Sequence, residues 1–432
     1  MGFLAERRTR QAENRAAAAA AEARHRAGQE IERLTGESRA QRRAGSWDAA
    51  ATTLAGAVRL GTEQFGPDDP RTLLAGFEHG RTLLQLHRLA EAEQVLRAVA
   101  EAAAPHSDQR RQDLRFDALG ACGSVLLRAG RNAEAVAVLE EHRELARQSG
   151  CDLAGSPAAE ELADGYLAVG REAEAVRLYA DTAAHREAES AAGRSTTAVL
   201  RLRGKLARAL LLLGHHAQAE RAARAVLRAA AENTAAAGRW SAAAVLARTL
   251  VQQDRAAEGE AVAREAAAEW RRAKGPESKP LPKLDHALAE ALIAQQRYQE
   301  ALDVVLEQLA AGVTAVGVAA GAGVAGAAGG GSGAATVFQC DLAAAHLELG
   351  RPEDALRAVE PFLARHRAAP APRDHAALVA DTLHGRILAA LGRTGEARDV
   401  LTANAAVWRE RYGPEHVHTL AAERALAALS AE

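Results

Sequence analysis

The chain has 432 residues with no compositional step along it, more than one globular core normally fills, which favours a quasi-linear array over separate domains. Hydrophobic residues make up 48 % but aromatic ones only 3 %, so the apolar content is mostly Ala, Leu and Val, suited to closely packed helices and an all-α class. A formal net charge of −2 excludes a global field that would gather the protein on nucleic acid or an anionic membrane, and neither is expected as a partner.

At the N-terminus, residues 1–33 are charged and Ala-rich, and a frayed capping helix is expected that meets the first repeat only near Ile31 and Leu34. Arg7, Arg8, Arg10 and Arg15 raise the alternative of a coiled-coil or DNA-binding arm, but apolar heptads and a helix-turn-helix pattern are both missing. The longest apolar stretch there, Ala16 to Ala21, is too short for a signal-peptide core or a membrane span. Glu6 stands where a myristoylation motif wants Ser or Thr. Cys122, Cys151 and Cys340 are widely spaced without a C-x-x-C pair and read as free thiols of a reducing cytosol, so a cytoplasmic location is expected. Lys is confined to Lys205, Lys274, Lys279 and Lys283 while Arg abounds, a bias attributed to a high-GC bacterial genome before any recognition role.

From residue 34 onward a turn of the form Leu-Gly-Arg-x-x-Glu-Ala recurs nine times. Its last small residue falls at Ala50, Ala92, Ala135, Ala175, Ala219, Gly259, Ala301, Ala355 and Ala397, at intervals of 42, 43, 40, 44, 40, 42, 54 and 42 residues. A fixed period of that size indicates a solenoid of helical hairpins. Gly45, Gly130, Gly170, Gly214, Gly350 and Gly392 supply the left-handed residue that ends the first helix, whereas His87, Asp254 and Gln296 stand there in the other copies, which predicts strain or another shape. Seven residues before the turn come Ser38, Gly80, Gly123, Ala163, Ala207, Ala247, Ala289, Ala343 and Gly385, all small. Small residues on both helices let each hairpin close tightly, so Ala175→Leu would cost about 1–3 kcal/mol by overpacking.

This register resembles the tetratricopeptide repeat: the small residue of helix A, the turn Gly and the small residue of helix B follow in order at Gly123, Gly130 and Ala135, at Ala163, Gly170 and Ala175, and at Ala207, Gly214 and Ala219. The period near 42 is similar to the kinesin-light-chain subtype, as is Gly66-Pro67-Asp68-Asp69-Pro70-Arg71-Thr72; Gly413-Pro414-Glu415-His416-Val417-His418-Thr419 lacks only the second Pro. In that loop Asp69 is placed to cap the next helix with Pro70 just inside it. The resemblance implies a right-handed superhelical solenoid of about nine helix-turn-helix repeats. Repeats one to seven would occupy 34–311, a flexible Gly/Ala-rich insert 312–333, and repeats eight and nine with a capping helix 334–432. The insert breaks the period with about twelve extra residues, a loop that could serve as a hinge or lid over the concave face.

No phosphate loop, dinucleotide fingerprint, His-Glu-x-x-His or Gly-x-Ser-x-Gly element occurs, so no catalysis, cofactor or metal is expected. His215 with His216, His416 with His418, and the trio His366, His375 and His384 are spaced as solvated or packing histidines. The resemblance puts the residue six before each turn on the concave face, namely Arg81, Ser124, Asp164, Arg208, Arg248, Glu290, Ala344 and Arg386, of which Arg81, Asp164, Arg208, Arg248 and Glu290 are the candidates, with Arg201 two turns before Arg208. Guanidinium groups at that spacing could hold a carboxylate or acidic peptide, or could pair with neighbouring acids and merely keep the groove solvated. Glu78, Ala121, Glu161, Lys205 and Val245 stand where peptide-binding members often carry Asn, which favours a folded or helical partner. Two functions stay open: a non-enzymatic scaffold binding a protein or peptide, and a regulator that responds to a ligand or signalling peptide.

Overall fold

The computed structural model describes residues 2–151, 153, 155–189, 197–231, 238–275, 278, 282–321, 331–368 and 374–429. Among them are nineteen α-helices and no strand. Eighteen form nine consecutive hairpins: α1 (Gly2–Arg43) with α2 (Trp47–Phe65), α3 (Pro70–Gln85) with α4 (Leu89–Ala103), α5 (Gln109–Arg128) with α6 (Asn132–Gln148), and α7 (Pro157–Ala168) with α8 (Glu172–Glu189). There follow α9 (Thr197–Leu212) with α10 (His216–Ala231), α11 (Arg239–Val251) with α12 (Ala256–Lys274), and α13 (Pro282–Ala294) with α14 (Tyr298–Gly321). The last pairs are α15 (Gly331–Glu348) with α16 (Pro352–Ala368) and α17 (His375–Ala390) with α18 (Thr394–Tyr412), and α19 (Val417–Ala428) ends the array. The chain divides into two compact units, Met1–Leu153 and Ala154–Glu432, with three hairpins in the first and six in the second.

All nine turns share one backbone solution. The amide after the left-handed residue bonds the carbonyl five positions back, as in Arg88 to Leu83, Arg171 to Tyr166, Arg297 to Leu292 and Arg393 to Leu388, at 2.8–3.0 Å. This is the Schellman closure that satisfies the last carbonyls of the first helix. The turn glycines have φ of 70–77°, and His87, Asp254 and Gln296 adopt the same left-handed region at 57°, 59° and 62°. The shape is therefore kept where Gly is absent, and the expected strain is carried locally by three side-chain-bearing residues.

The small-residue register closes each hairpin core. Ser38, Ala163, Ala207, Ala247, Ala289 and Ala343 are fully buried, as are Ala50, Ala92, Ala135, Ala175, Ala219, Ala301, Ala355 and Ala397. Glycine appears on the first helix where the second presents Leu: a Cβ on Gly80, Gly123 or Gly385 would lie 2.4–2.5 Å from a side-chain carbon of Leu96, Leu139 or Leu401. Those three leucines fill the space that a Cβ would take, which keeps the packing dense without strain.

Helix starts are handled in two ways. Four first helices and α19 receive a side-chain cap: Asp69, Asp108, Ser156, Asp374 and His416 accept from backbone amides of α3, α5, α7, α17 and α19. Second helices follow tight turns, and there the turn Arg forks onto the Glu three residues on, in Arg88–Glu91, Arg131–Glu134, Arg171–Glu174, Arg255–Glu258, Arg297–Glu300 and Arg393–Glu396. That Glu also sits at the positive end of its helix. Arg131, Arg255 and Arg297 reach further, to Glu93, Glu220 and Glu260 on the second helix of the preceding repeat. The abundance of Arg thus has a structural use beyond base composition, tying repeat to repeat along the second helices.

The helix α1 is continuous from Gly2, because Ala, Glu and Arg are strong helix formers, and its buried face begins at Ala27 and Ile31, where Ile31 clusters with Leu34, Ala57 and Ala75. Of the insert expected at 312–333, residues 322–330 lie outside the described residues; α14 runs to Gly321 and α15 begins at Gly331. No helix among the described residues is long and apolar enough to cross a membrane.

Candidate partner-binding site

The first helices of the second unit carry a ladder of charged side chains one repeat apart. Arg201 on α9 lies 2.6 Å from Glu160 on α7, and Lys205 lies 2.8 Å from Glu160 and 2.5 Å from Asp164. Tyr179, fully buried on α8, donates its hydroxyl to Asp164 at 2.5 Å. Two repeats on, Arg248 of α11 donates two hydrogen bonds to Glu290 of α13, at 2.7 and 3.1 Å. His286 stands between Glu290 and Asp341 of α15, with Nε2 at 3.3 Å from one carboxylate and Nδ1 at 2.7 Å from the other.

Charges alternate along Arg248, Glu290, His286 and Asp341. Burial alone would raise the Glu290 carboxyl, but Arg248 and then His286 overcome it and hold it at about 2. Burial opposes protonation of His286, yet the carboxylates of Asp341 and Glu290 raise it above the ordinary imidazole value. Asp341 is raised by burial, against the pull of His286. A buried chain of this kind is held by mutual neutralisation, so removing one member leaves the next uncompensated.

Of the six residues singled out in the sequence, four therefore engage acids or bases of the array itself: Arg201, Asp164, Arg248 and Glu290. Arg208 is exposed and makes no ion pair among the described residues. Arg81 is exposed on α3 in the first unit, its guanidinium 5.5 Å from the centroid of Phe77. The solvated-groove alternative describes Arg201 and Arg248, and Arg208 is the one of the three left open to a partner.

A cavity of about 600 Å³ lies along the same first-helix face, bounded by α11, α13, α15, α17 and α19. Ile293, Ala344, Val379, Leu383, Ala421 and Ala425 form its apolar wall, and Gln252, Glu290, Asp341, Thr382, Arg386 and Arg424 its polar margin. Cavities of roughly 300–1,000 Å³ with apolar walls and a few polar groups suit a ligand or an inserted side chain. Arg386 pairs with Glu348 at 2.5 Å, and Arg424 donates to the Leu420 carbonyl at 3.2 Å without a carboxylate partner among the described residues.

The second unit also touches itself across long sequence distances. Tyr412 donates to Glu172 at 2.7 Å, and His416 Nε2 lies 3.2 Å from the Leu212 carbonyl oxygen. His375, His416 and His418, scattered in sequence, gather there around Trp408 and Tyr412 with ring centroids 4.9–6.2 Å apart. The sequence carried one signal of this, the replacement of the loop's Asp-Pro-Arg by His416-Val417-His418; their meeting with His375 and Leu212 is a tertiary event. Among the described residues no group of three or more His, Cys, Asp and Glu is disposed to hold a metal ion.

Five segments, 117–141, 200–225, 282–307, 336–361 and 378–401, match the tetratricopeptide repeat model. The protein contains tetratricopeptide repeats. Each matched segment holds one turn with its two small residues, and the remaining repeats share the same turn geometry. No curated protein matches the chain. Among solved structures, the repeat protein resembles the nearly identical repeats of a kinesin light chain from Podosopora anserina, 20 % identical over 48 % of this chain and 97 % of that one, TM-score 0.41. A tetratricopeptide repeat protein of Parabacteroides merdae is 15 % identical over 65 % and 92 %, TM-score 0.46. A Rap protein complexed with competence and sporulation factor is 14 % identical over 94 % and 98 %, TM-score 0.49. At these values nothing about the partners of this chain follows from them.

Proposed function

We propose that the protein is a non-enzymatic interaction scaffold whose second unit binds a protein or peptide partner on the first-helix face. The observation that carries this reading is the cavity of about 600 Å³ walled by first helices of four repeats and α19. One large apolar side chain inserted there would gain roughly 1.5–3 kcal/mol. Arg424 at its margin, and Arg208 on α9 of the same unit, favour a partner that carries carboxylates beside its apolar anchor. Free Cys122, Cys151 and Cys340 support a partner met in a reducing compartment such as the cytoplasm.

A second reading, a regulator responding to a ligand or signalling peptide, is favoured by the self-contact of the second unit through Tyr412 and His416, because occupancy of the interior would bear on that contact.

The test is affinity capture with the wild type beside Ala344→Phe, which fills the cavity, and Arg208→Glu, which reverses the open charge. Loss of the same partner in both, with thermal unfolding unchanged, is expected. Identical partners from all three proteins would overturn the site.

A further inference from the structure

The segment 412–418 bonds the last repeat of the second unit to the first two repeats of that unit, α7/α8 and α9/α10. Tyr412, at the end of α18, donates to Glu172 at the start of α8, and His416 donates to the Leu212 carbonyl at the end of α9. The same His416 caps α19, its Nδ1 accepting from the His418 amide at 3.3 Å. One neutral tautomer, with the proton on Nε2, makes both bonds. An imidazolium keeps the bond to Leu212, which favours the proton, but loses the cap because its Nδ1 is a donor facing an amide proton, so acid opens the segment through the burial of charge on the rings.

The surroundings also disfavour added positive charge. Trp408 stacks on His416 and His418, and His375 packs edge-on against Trp408 and His418; the indole face attracts a cation, so the opposition comes from burial and from the neighbouring charges. Arg208 of α9, His215 and His216 at the next turn, and Arg248 of α11 all act on these rings as cations or potential cations. Glu290 of α13 is the carboxylate that faces His418, and it is already bonded to Arg248. At the Tyr412 end, Arg411 and the cap Asp374 face Glu172, whose carboxylate accepts the phenol. The Nδ1 atoms of His216 and His375 are buried with no hydrogen-bond partner among the described residues, so a proton added there finds no acceptor.

We infer that residues 412–418 form an acid-released clasp, shut while His375, His416 and His418 are neutral and opened by their protonation, which frees the last repeat from α7/α8 and α9/α10. Opening would expose the interior face of the second unit to a partner. The clasp stands independently of the partner reading, because it is measured in the free protein.

The direction of the pH effect follows from the histidines. Burial holds His418 down at about 3 and lowers His416 from the ordinary 6.5, while His375 is held well below it. The closed form therefore binds fewer protons than the open one. Closure is fully present above about pH 6.5 and is lost progressively as pH falls from there, by up to roughly tenfold per histidine per pH unit.

Hydrogen exchange and small-angle scattering on the full chain test this at about pH 7.5 and about pH 5.5, with exchange corrected for its intrinsic pH dependence. Amides of 211–214 and 412–420 should exchange at least about tenfold faster at the lower pH, with a larger radius of gyration, while those of the loop 66–72 stay unchanged. His416→Asn can still cap α19 with its oxygen and carries no titrating ring, although its amide falls short of Leu212, so it should reduce the acid response by about tenfold. Tyr412→Phe should raise exchange in both segments at both pH values. Equal exchange of the wild type at the two pH values would overturn the clasp, and so would an acid response undiminished in His416→Asn.

Discussion

The segments 61–72 and 408–419 occupy the same place in the repeat and solve the same problem with different chemistry. Each ends a helix at a glycine of positive φ, Gly66 at 95° and Gly413 at 87°, then caps the next helix from the third residue on. In the first, Asp69 accepts from the Arg71 amide at 2.9 Å, and Gly61 presses directly on Thr72. In the second, His416 takes the cap position and Trp408 replaces the glycine, fully buried beneath His416 and His418. The nearest imidazole to the first loop, His106, faces the Asp68 carboxylate at 3.0 Å. Those of the second loop face one another and Arg248. The repeat register thus fixes the backbone path but leaves open whether a loop responds to acid.

The widest gap between the two loops should come from their helix-end residues. Trp408→Ala removes a fully buried ring and should destabilise the second unit by about 3–5 kcal/mol in denaturant unfolding. Gly61→Ala does the opposite, setting a Cβ 2.5 Å from the Thr72 hydroxyl, and should cost the first unit about 1–3 kcal/mol. The caps come next. Asp69→Ala should lose about 1 kcal/mol, equally at about pH 7.5 and pH 5.5, when thermal unfolding is compared at the two values. His416→Ala should lose a similar amount near pH 7.5 and less on acidification, since the wild-type cap weakens as pH falls below about 6.5. A loss that does not shrink with acid would remove the distinction between the loops. Smallest of all, Arg71→Ala forfeits a guanidinium lying 4.8 Å from the Phe65 ring centroid, at about 0.5–1 kcal/mol, and a chemical-denaturation midpoint resolves it.

Much of the fold was legible because it rests on local steric needs that recur. A left-handed residue must end each first helix, and small residues must face each other across each hairpin. Both requirements write themselves into the sequence every 40 to 44 residues except at the insert. The candidate site was legible only in part. The register marked Arg248 and Glu290 as neighbours on one face, but that they join through two hydrogen bonds depends on side-chain reach. Arg386 could be assigned to that face by its register, whereas its place at the margin of a cavity with Arg424 came from how α17 and α19 pack on α13 and α15.

The sequence by itself determined the class, the number of hairpins, their small-residue seams and the conformation of the six glycine turns, because those depend on residues within one repeat. The tertiary structure alone decided that Tyr412 meets Glu172 and that His416 meets Leu212, across 240 and 204 residues. Such contacts depend on small rotations accumulated from repeat to repeat, a sum over many interfaces that no single motif encodes.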